Sequence, residues 1–304
     1  METNPESHGI QPTRGWNRVR GLRDRLLLQE DLNFLVTNRI PRRYATLFMG
    51  WFSRIESPWL TRISLALWRG FTDLDLSEAR ETRFNSLHAC FTRELKPGAR
   101  PIDPDPTMGV SPCDGIVGEC GTVEGDGVFQ AKGFPYRLAE LFGSEAAAAP
   151  FHDGGYVTLR LTSSMYHRFH APAQGRITRV TYLSGDTWNV NPIALKRVER
   201  LFCRNERAAL HLELAGGQPI AMVAVAAILV ASIRLHFLNV RLHLRWKGPH
   251  DIPCDAEVER GEELGWFEHG STIILIVPPG FALHPSIHRG GRVRMGQAMV
   301  QLPD

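Results

Sequence analysis

Residues Thr272-Ile273-Ile274-Leu275-Ile276-Val277 form an apolar, β-branched run with no polar alternation. A run of that kind has no side to turn to water, so it reads as a buried strand. Just before it stand Gly270 and Ser271, and further upstream the charged, glycine-punctuated stretch Gly261-Glu262-Glu263-Leu264-Gly265. The Gly-Ser-Thr step therefore sets a hydroxyl at the mouth of a buried strand. Many strands begin this way, so the step gains meaning only from what else converges on it.

At 304 residues and 43% hydrophobic, the chain can bury a sizeable core. Its net charge of +3 hides an asymmetry: Arg14 to Arg69 holds eleven arginines, no lysine and four acidic residues. The cysteines Cys90, Cys113, Cys120, Cys203 and Cys254 are odd in number and show no C-x-x-C pairing, which argues against a disulfide framework or a zinc site and fits a reducing cytosol. The polar N-terminus lacks the apolar core of a signal peptide, so export is not expected. The longest apolar run, Ile220 to Ile233, is too short for a spanning helix, so no transmembrane segment is expected.

Residues 1–15 are expected to be disordered, and 16–100 to be helical. Arg18 to Thr37 reads as a helix. Tyr44, Leu47, Phe48, Trp51, Phe52 and Ile55 fall on one helical stripe, and Ser57-Pro58 caps a second helix whose apolar face runs from Trp59 to Trp68 and closes at Gly70. Asp73 to Cys90 reads as a further helix and Phe91 to Asp103 as a connector. Such stripes either pack on a core or lie in a lipid interface; aromatic bodies with arginines and no lysine suit the interface of an anionic membrane. From residue 101 onward short strands dominate: Gly115–Glu119, Tyr156–Leu161, Arg176–Tyr182, Ala208–Leu214, Ile220–Val225, Ile228–Ile233, Arg241–Trp246 and Thr272–Val277. Helices there are few, chiefly Arg137–Phe142 and Pro192–Glu199. The expected fold class is α+β, a mainly β, barrel- or sandwich-like catalytic domain over 101–304 preceded by amphipathic helices.

Three polar groups carry chemistry. Ser111-Pro112-Cys113-Asp114-Gly115 offers a carboxylate in a turn. Tyr166-His167-Arg168-Phe169-His170-Ala171-Pro172 offers two histidines, on one helical turn or flanking a bend, better suited to proton transfer than to metal binding. Gly270-Ser271-Thr272 offers the hydroxyl. An Asp, a His and a Ser can together activate that hydroxyl toward a carbonyl.

These motifs, with Phe91-Thr92-Arg93-Glu94-Leu95, Arg100-Pro101-Ile102, Ala131-Lys132-Gly133, Asn189-Val190-Asn191-Pro192, Asn205-Glu206-Arg207 and Gly261 to Phe267, resemble phosphatidylserine decarboxylase of the bacterial, membrane-associated, pyruvoyl-dependent type. The resemblance runs from about residue 40 to the C-terminus. It implies a self-processing enzyme in which Ser271 attacks the carbonyl of Gly270, the chain is cut between residues 270 and 271, and Ser271 becomes a covalent pyruvoyl group, the Schiff-base site for the substrate amine. Asp114, His170 and Ser271 correspond to the processing triad, with His170 as base and Asp114 holding its tautomer; His167 corresponds to the proton donor of decarboxylation. The implied product is phosphatidylethanolamine, with no metal and no nucleic-acid partner, from a homodimer of cleaved protomers on the cytoplasmic face of the cell membrane. Two features depart from the family pattern: His269 before the Gly-Ser-Thr step, and alanines at Ala226, Ala227 and Ala231 where glycines are common. Alternatives are a pyruvoyl decarboxylase for another amine-carboxylate substrate, a serine hydrolase keeping Ser271, or a non-catalytic scaffold.

Overall fold

Ser271–Val277 is a strand buried at every position and paired along both edges. The computed structural model that contains it describes residue 34 and residues 41–131, 134–229, 232–268 and 271–303. The segment expected to be disordered, 1–15, lies outside these residues, as does the helix expected over Arg18–Thr37 apart from the helical Phe34.

In chain order the strands are β1 (Met108–Val110), β2 (Gly115–Thr122), β3 (Gly127–Ala131), β4 (Phe134–Arg137), β5 (Gly155–Leu161), β6 (Arg168–His170), β7 (Gly175–Leu183), β8 (Arg207–Glu213) and β9 (Pro219–Val225). They continue with β10 (Ile233–Leu235), β11 (Val240–Leu242), β12 (Asp251–Val258), β13 (Glu263–Phe267), β14 (Ser271–Val277), β15 (Ala282–Leu283), β16 (Arg292–Val293) and β17 (Ala298–Gln301). One eight-stranded antiparallel sheet has the order β12-β7-β8-β9-β14-β5-β2-β16. A four-stranded sheet, β11-β10-β13-β6, a three-stranded sheet, β1-β17-β15, and the β3-β4 hairpin complete the set.

The main sheet stays open, so the expected barrel is not formed among the described residues. Its ends show why. β12 alternates exposed and half-buried positions and contains Pro253, which has no N–H to give a further neighbour, and β16 is two residues long. The middle strands β9 and β14 are instead buried along almost their whole length, as continuous apolar runs require. Two expected strands are shorter than their patterns. β9 of the main sheet ends at Val225 and β10, in the four-stranded sheet, begins at Ile233, with Leu229 between them in a left-handed backbone of φ 67°; Ala226 and Ala227 are free of positive φ, so alanine in place of glycine strains nothing there, and Ala231 lies outside the described residues. Beyond Leu242 the chain turns, with the Trp246 N–H donating to the His243 carbonyl at 2.7 Å, and the helix expected over Pro192–Glu199 is a single turn, Pro192–Leu195.

Before the sheets come α1 (Arg42–Phe52), α2 (Pro58–Phe71) and α3 (Leu87–Phe91). Ser57 caps α2, its hydroxyl accepting from the Leu60 N–H with Pro58 at the first position, and the helix runs one residue beyond Gly70. The helix expected over Asp73–Cys90 is confined to α3. Asp75 accepts from the Ser77 N–H at 2.8 Å and Ser86 caps α3, so short polar side chains bind the backbone locally in place of a helix.

The amphipathic helices are inverted relative to a core-packing element. Thr46, Ser53 and Thr61 are buried, while Tyr44, Phe48, Trp51, Trp59, Ile63, Leu67 and Phe71 stand exposed, Tyr44 by 75% and Trp59 by 72%. Polar contacts hold the inward side. Arg42 forks onto Asp186 at 3.2 and 2.6 Å, and the Thr46 hydroxyl accepts from the Leu229 N–H at 3.1 Å.

Gly265 in β13 tests the fit of the four-stranded sheet. A Cβ there would lie 1.9 Å from the Arg234 carbonyl oxygen, so backbone must move. Gly265→Ala is expected to lower stability by about 2–4 kcal/mol in thermal or urea denaturation. Gly118→Ala, whose added Cβ meets Thr158 at an ordinary 3.5 Å, should stay within about 1 kcal/mol.

Candidate active site

Ser271 opens β14 opposite Leu161 of β5, and Thr272 lies between Arg160 of β5 and Val225 of β9. Both hydroxyls are fully buried, and neither has a hydrogen-bond partner among the described residues. Unsatisfied hydroxyls at a strand mouth are costly, and such groups in native folds ask for a functional explanation. Gly270 and His269 lie outside the described residues. Just upstream, Glu268 is buried; its N–H donates to the Ser232 carbonyl at 3.2 Å and its carboxylate receives the Arg54 guanidinium from the end of α1. His88 of α3 stands 3.9 Å from the same carboxylate, and burial holds its pKa below the ordinary value against the pull of Glu268. The step from 268 to 271 is therefore anchored on both sides.

The two histidines do not share a helical turn. His167 immediately precedes β6 and His170 is its last residue; the strand is extended and paired with β13, and the two rings meet different surroundings. The His170 Nδ1 lies 3.0 Å from the Gly261 carbonyl oxygen and its Nε2 lies 3.1 Å from the Tyr166 hydroxyl. Because a carbonyl can only accept, Nδ1 carries the proton and Nε2 presents its lone pair to Tyr166. Burial lowers the His170 pKa despite the Gly261 contact, so the ring is a neutral base.

His167 is wholly buried, against the Phe91 ring at 5.2 Å, and neither ring nitrogen makes a well-formed hydrogen bond among the described residues, although the Met165 backbone lies near enough to raise its pKa. Burial first, and then the Arg93 guanidinium, push its pKa down to about 3. The main chain ties it toward the Gly-Ser-Thr step: the Phe267 N–H donates to the His167 carbonyl at 3.0 Å, whereas His170 sits opposite Glu263, farther up β13.

Asp114 stands in the turn before β2 and contributes to the charge felt by His170, but its oxygens are engaged elsewhere. Arg100 donates to it through Nε at 2.8 Å and Nη2 at 2.6 Å, and the Met295 N–H adds a bond at 2.9 Å. The tautomer of His170 is thus set by the Gly261 carbonyl, not by Asp114 as the sequence motif implies. Arg100 and Tyr166 lie inside recognised motifs, yet their roles depend on distant partners; Arg54 and Glu268 carry no local signal at all.

A cavity of about 510 Å³ opens where β5 and β9 end and β14 begins, walled by Leu161, Ala227 and Leu229 from the sheet side and by Met49, Trp68 and Phe91 from α1, α2 and α3. Trp68 stacks on Phe91 at 4.3 Å, and Phe91 in turn contacts His167. An apolar cavity bounded by a few polar side chains suits a small ligand or the head of an amphiphile.

The phosphatidylserine decarboxylase family model matches residues 87–301. The phosphatidylserine decarboxylase proenzyme of Xanthomonas axonopodis pv. citri (strain 306) is 39% identical over 242 residues, covering 75% of this chain and 84% of that protein. The proenzyme of Anaeromyxobacter sp. (strain K) is 38% identical over 269 residues, covering 86% and 94%. That of Polaromonas naphthalenivorans (strain CJ2) is 34% identical over 286 residues, covering 90% and 98%.

The displaced pKa of His167 makes stability depend on pH. Between its ordinary 6.5 and about 3 the unfolded chain binds a proton that the folded chain refuses, so this contribution is full above pH 6.5 and is lost as pH falls. His167→Gln is expected to flatten the acid limb of a stability-against-pH curve by up to about 1.4 kcal/mol per pH unit in that window. Urea denaturation at a series of pH values measures it.

Proposed function

This chain belongs to the phosphatidylserine decarboxylase family, and from that membership we propose that it converts phosphatidylserine to phosphatidylethanolamine and carbon dioxide after cutting itself between Gly270 and Ser271. The observation that carries the self-processing reading is the buried, partnerless hydroxyl of Ser271 at the head of β14. In the precursor, Ser271 Oγ adds to the carbonyl of Gly270, which glycine leaves open to approach; the Gly270–Ser271 C–N bond breaks to give an ester, β-elimination releases Gly270 as a carboxylate, and water converts the dehydroalanine left at 271 to the pyruvoyl group with loss of ammonia. His170 is the base. Its Nδ1 proton is committed to Gly261, so Nε2 is the nitrogen with a lone pair to take up the serine proton once Tyr166 turns aside. Asp114, fixed by Arg100 and the Met295 N–H, acts as a stationary negative charge that favours the cationic ring.

A pyruvoyl group made from Ser271 fits this position, and it supplies a carbonyl electron sink for the electrons left when carbon dioxide departs. His167 is assigned the proton transfer at the substrate's α-carbon, supported by its buried ring, whose nitrogens make no well-formed hydrogen bond among the described residues, and by its contact with Phe91 of the cavity wall. Burial keeps it neutral in the free protein, and an anionic substrate entering beside it raises its affinity for a proton. The apolar walls around it keep water from competing for that proton transfer.

The exposed aromatic faces of α1 and α2 support a membrane-resting role, with the cavity behind them open to a lipid headgroup. No helix among the described residues is long and apolar enough to cross a membrane, so the proposed attachment is interfacial.

Intact mass under denaturing conditions should give one fragment ending at Gly270 and one beginning at residue 271 with a blocked N-terminus. Ser271→Ala should give a single chain of 34.1 kDa, whereas His167→Ala should be cleaved yet release no carbon dioxide from phosphatidylserine. A wild-type chain that stays whole and reacts with a serine-directed phosphonate would replace this reading with a hydrolase. Replacing Trp51 and Trp59 together by Ser should cut flotation with vesicles containing phosphatidylglycerol by about tenfold or more while cleavage proceeds.

A further inference from the structure

β5 is buried at every position except Arg160, which is half-buried. That residue is paired with Ile116 on one side and Thr272 on the other, so its backbone is covered along both edges and its side chain is what reaches the cavity wall. A guanidinium drawn away from water is normally offset by carboxylates or carbonyls. Other inward-facing arginines obey this rule. Arg93 donates to the carbonyls of Cys90, Ser164 and Met165, Arg100 to Asp114 and Glu78, and Arg168 to Glu263 and the Thr92 carbonyl. Arg160 has no such partner among the described residues, and burial lowers its pKa with no charged group opposing the effect.

Directly across the ladder stands Thr272, and register partners project from the same side of a sheet. Arg160 thus lines the cavity with Met49, Trp68, Phe91, Leu161 and Leu229, and beside it in the sheet, one residue from Ser271, the fully buried Thr272 carries a hydroxyl with no hydrogen-bond partner among the described residues. Such a pair lacks an anion.

We propose that Arg160, assisted by the Thr272 hydroxyl, binds the phosphodiester of the lipid substrate and selects phosphorylated amine-carboxylates over others. The proposal rests on the decarboxylase reading above. Of the two anionic groups in such a substrate, the phosphodiester is the one a fixed cation can hold without penalty. Its charge is the same before and after reaction, whereas a cation held on the carboxylate stabilises the ground state more than the transition state, in which that charge disperses. The phosphorus also lies only a few bonds from the amine, matching the adjacency of Arg160 and Thr272 to residue 271.

The test compares mature wild type with Arg160→Gln and Arg160→Lys, each first shown by intact mass to have been cleaved. Two substrates are used: short-chain phosphatidylserine, and a fatty-acyl ester of serine with the same amine and carboxylate but no phosphodiester. For Arg160→Gln the ratio of kcat/KM on the phospholipid to that on the ester should fall about 10- to 100-fold, chiefly through KM, and Arg160→Lys should recover part of it. An unchanged ratio, whether from equal loss on both substrates or from no loss, overturns the proposal. Calorimetric binding of a soluble short-chain phosphatidylethanolamine gives a readout independent of turnover. If wild type binds it, Arg160→Gln does not, and phosphatidylserine is not decarboxylated, the anion site stands and the decarboxylase reading fails; equal binding by both proteins overturns the anion site.

Discussion

A strand that is buried on both faces and hydrogen-bonded on both edges has no water to fall back on, and β14 is such a strand. Its apolar body needs β5 and β9 beside it, and those in turn need β2 and β8, which extends the open sheet outward to edges that tolerate solvent. At its first two residues the same burial that stabilises the strand strips Ser271 and Thr272 of hydrogen-bond partners. Buried polar atoms left in that state call for a functional explanation, which is why the proposed chemistry is placed at that end.

The helices before the sheets are fixed by polar contacts, which frees their apolar sides. Arg42 reaches Asp186, Thr46 reaches the left-handed Leu229, and Arg54 reaches Glu268. Each of these contacts falls on a segment bordering the cavity or the Gly-Ser-Thr step. The orientation of α1 and the geometry around Ser271 are therefore coupled through three side chains, and the exposed aromatics lie on the opposite side of the same helices.

Much of this was legible locally. The run Thr272–Val277 announces a buried strand because nothing in it alternates, and Ser57-Pro58 announces a helix start because the hydroxyl and the missing N–H act within a few residues. Where the structure departs from these expectations, competition for backbone groups and partners decides, local in the first case and between distant segments in the others. Asp73–Ser86 has helical spacing, but Asp75 and Ser86 take backbone N–H groups for themselves. Of the barrel- or sandwich-like domain expected from many short strands, the described residues show no closed barrel, and the main sheet ends in the proline-containing, part-exposed β12 and the two-residue β16. His167 and His170 have a spacing compatible with one helical turn, yet pairing with β13 stretches them into different environments.

The sequence by itself determined which chemical groups are present and the strongest local elements: the buried strand, the capped helix, the amphipathic stripes and the motifs by which the chain resembles its family. These follow from interactions between residues close along the chain, whose geometry is nearly independent of the rest. Tertiary contacts alone set that the aromatic stripes face outward, that the Gly261 carbonyl rather than Asp114 meets the Nδ1 of His170, and that Arg160 stands opposite Thr272 with no carboxylate partner among the described residues. Those outcomes depend on which distant groups compete for the same donor, acceptor or volume, and such competition has no expression in spacing or composition.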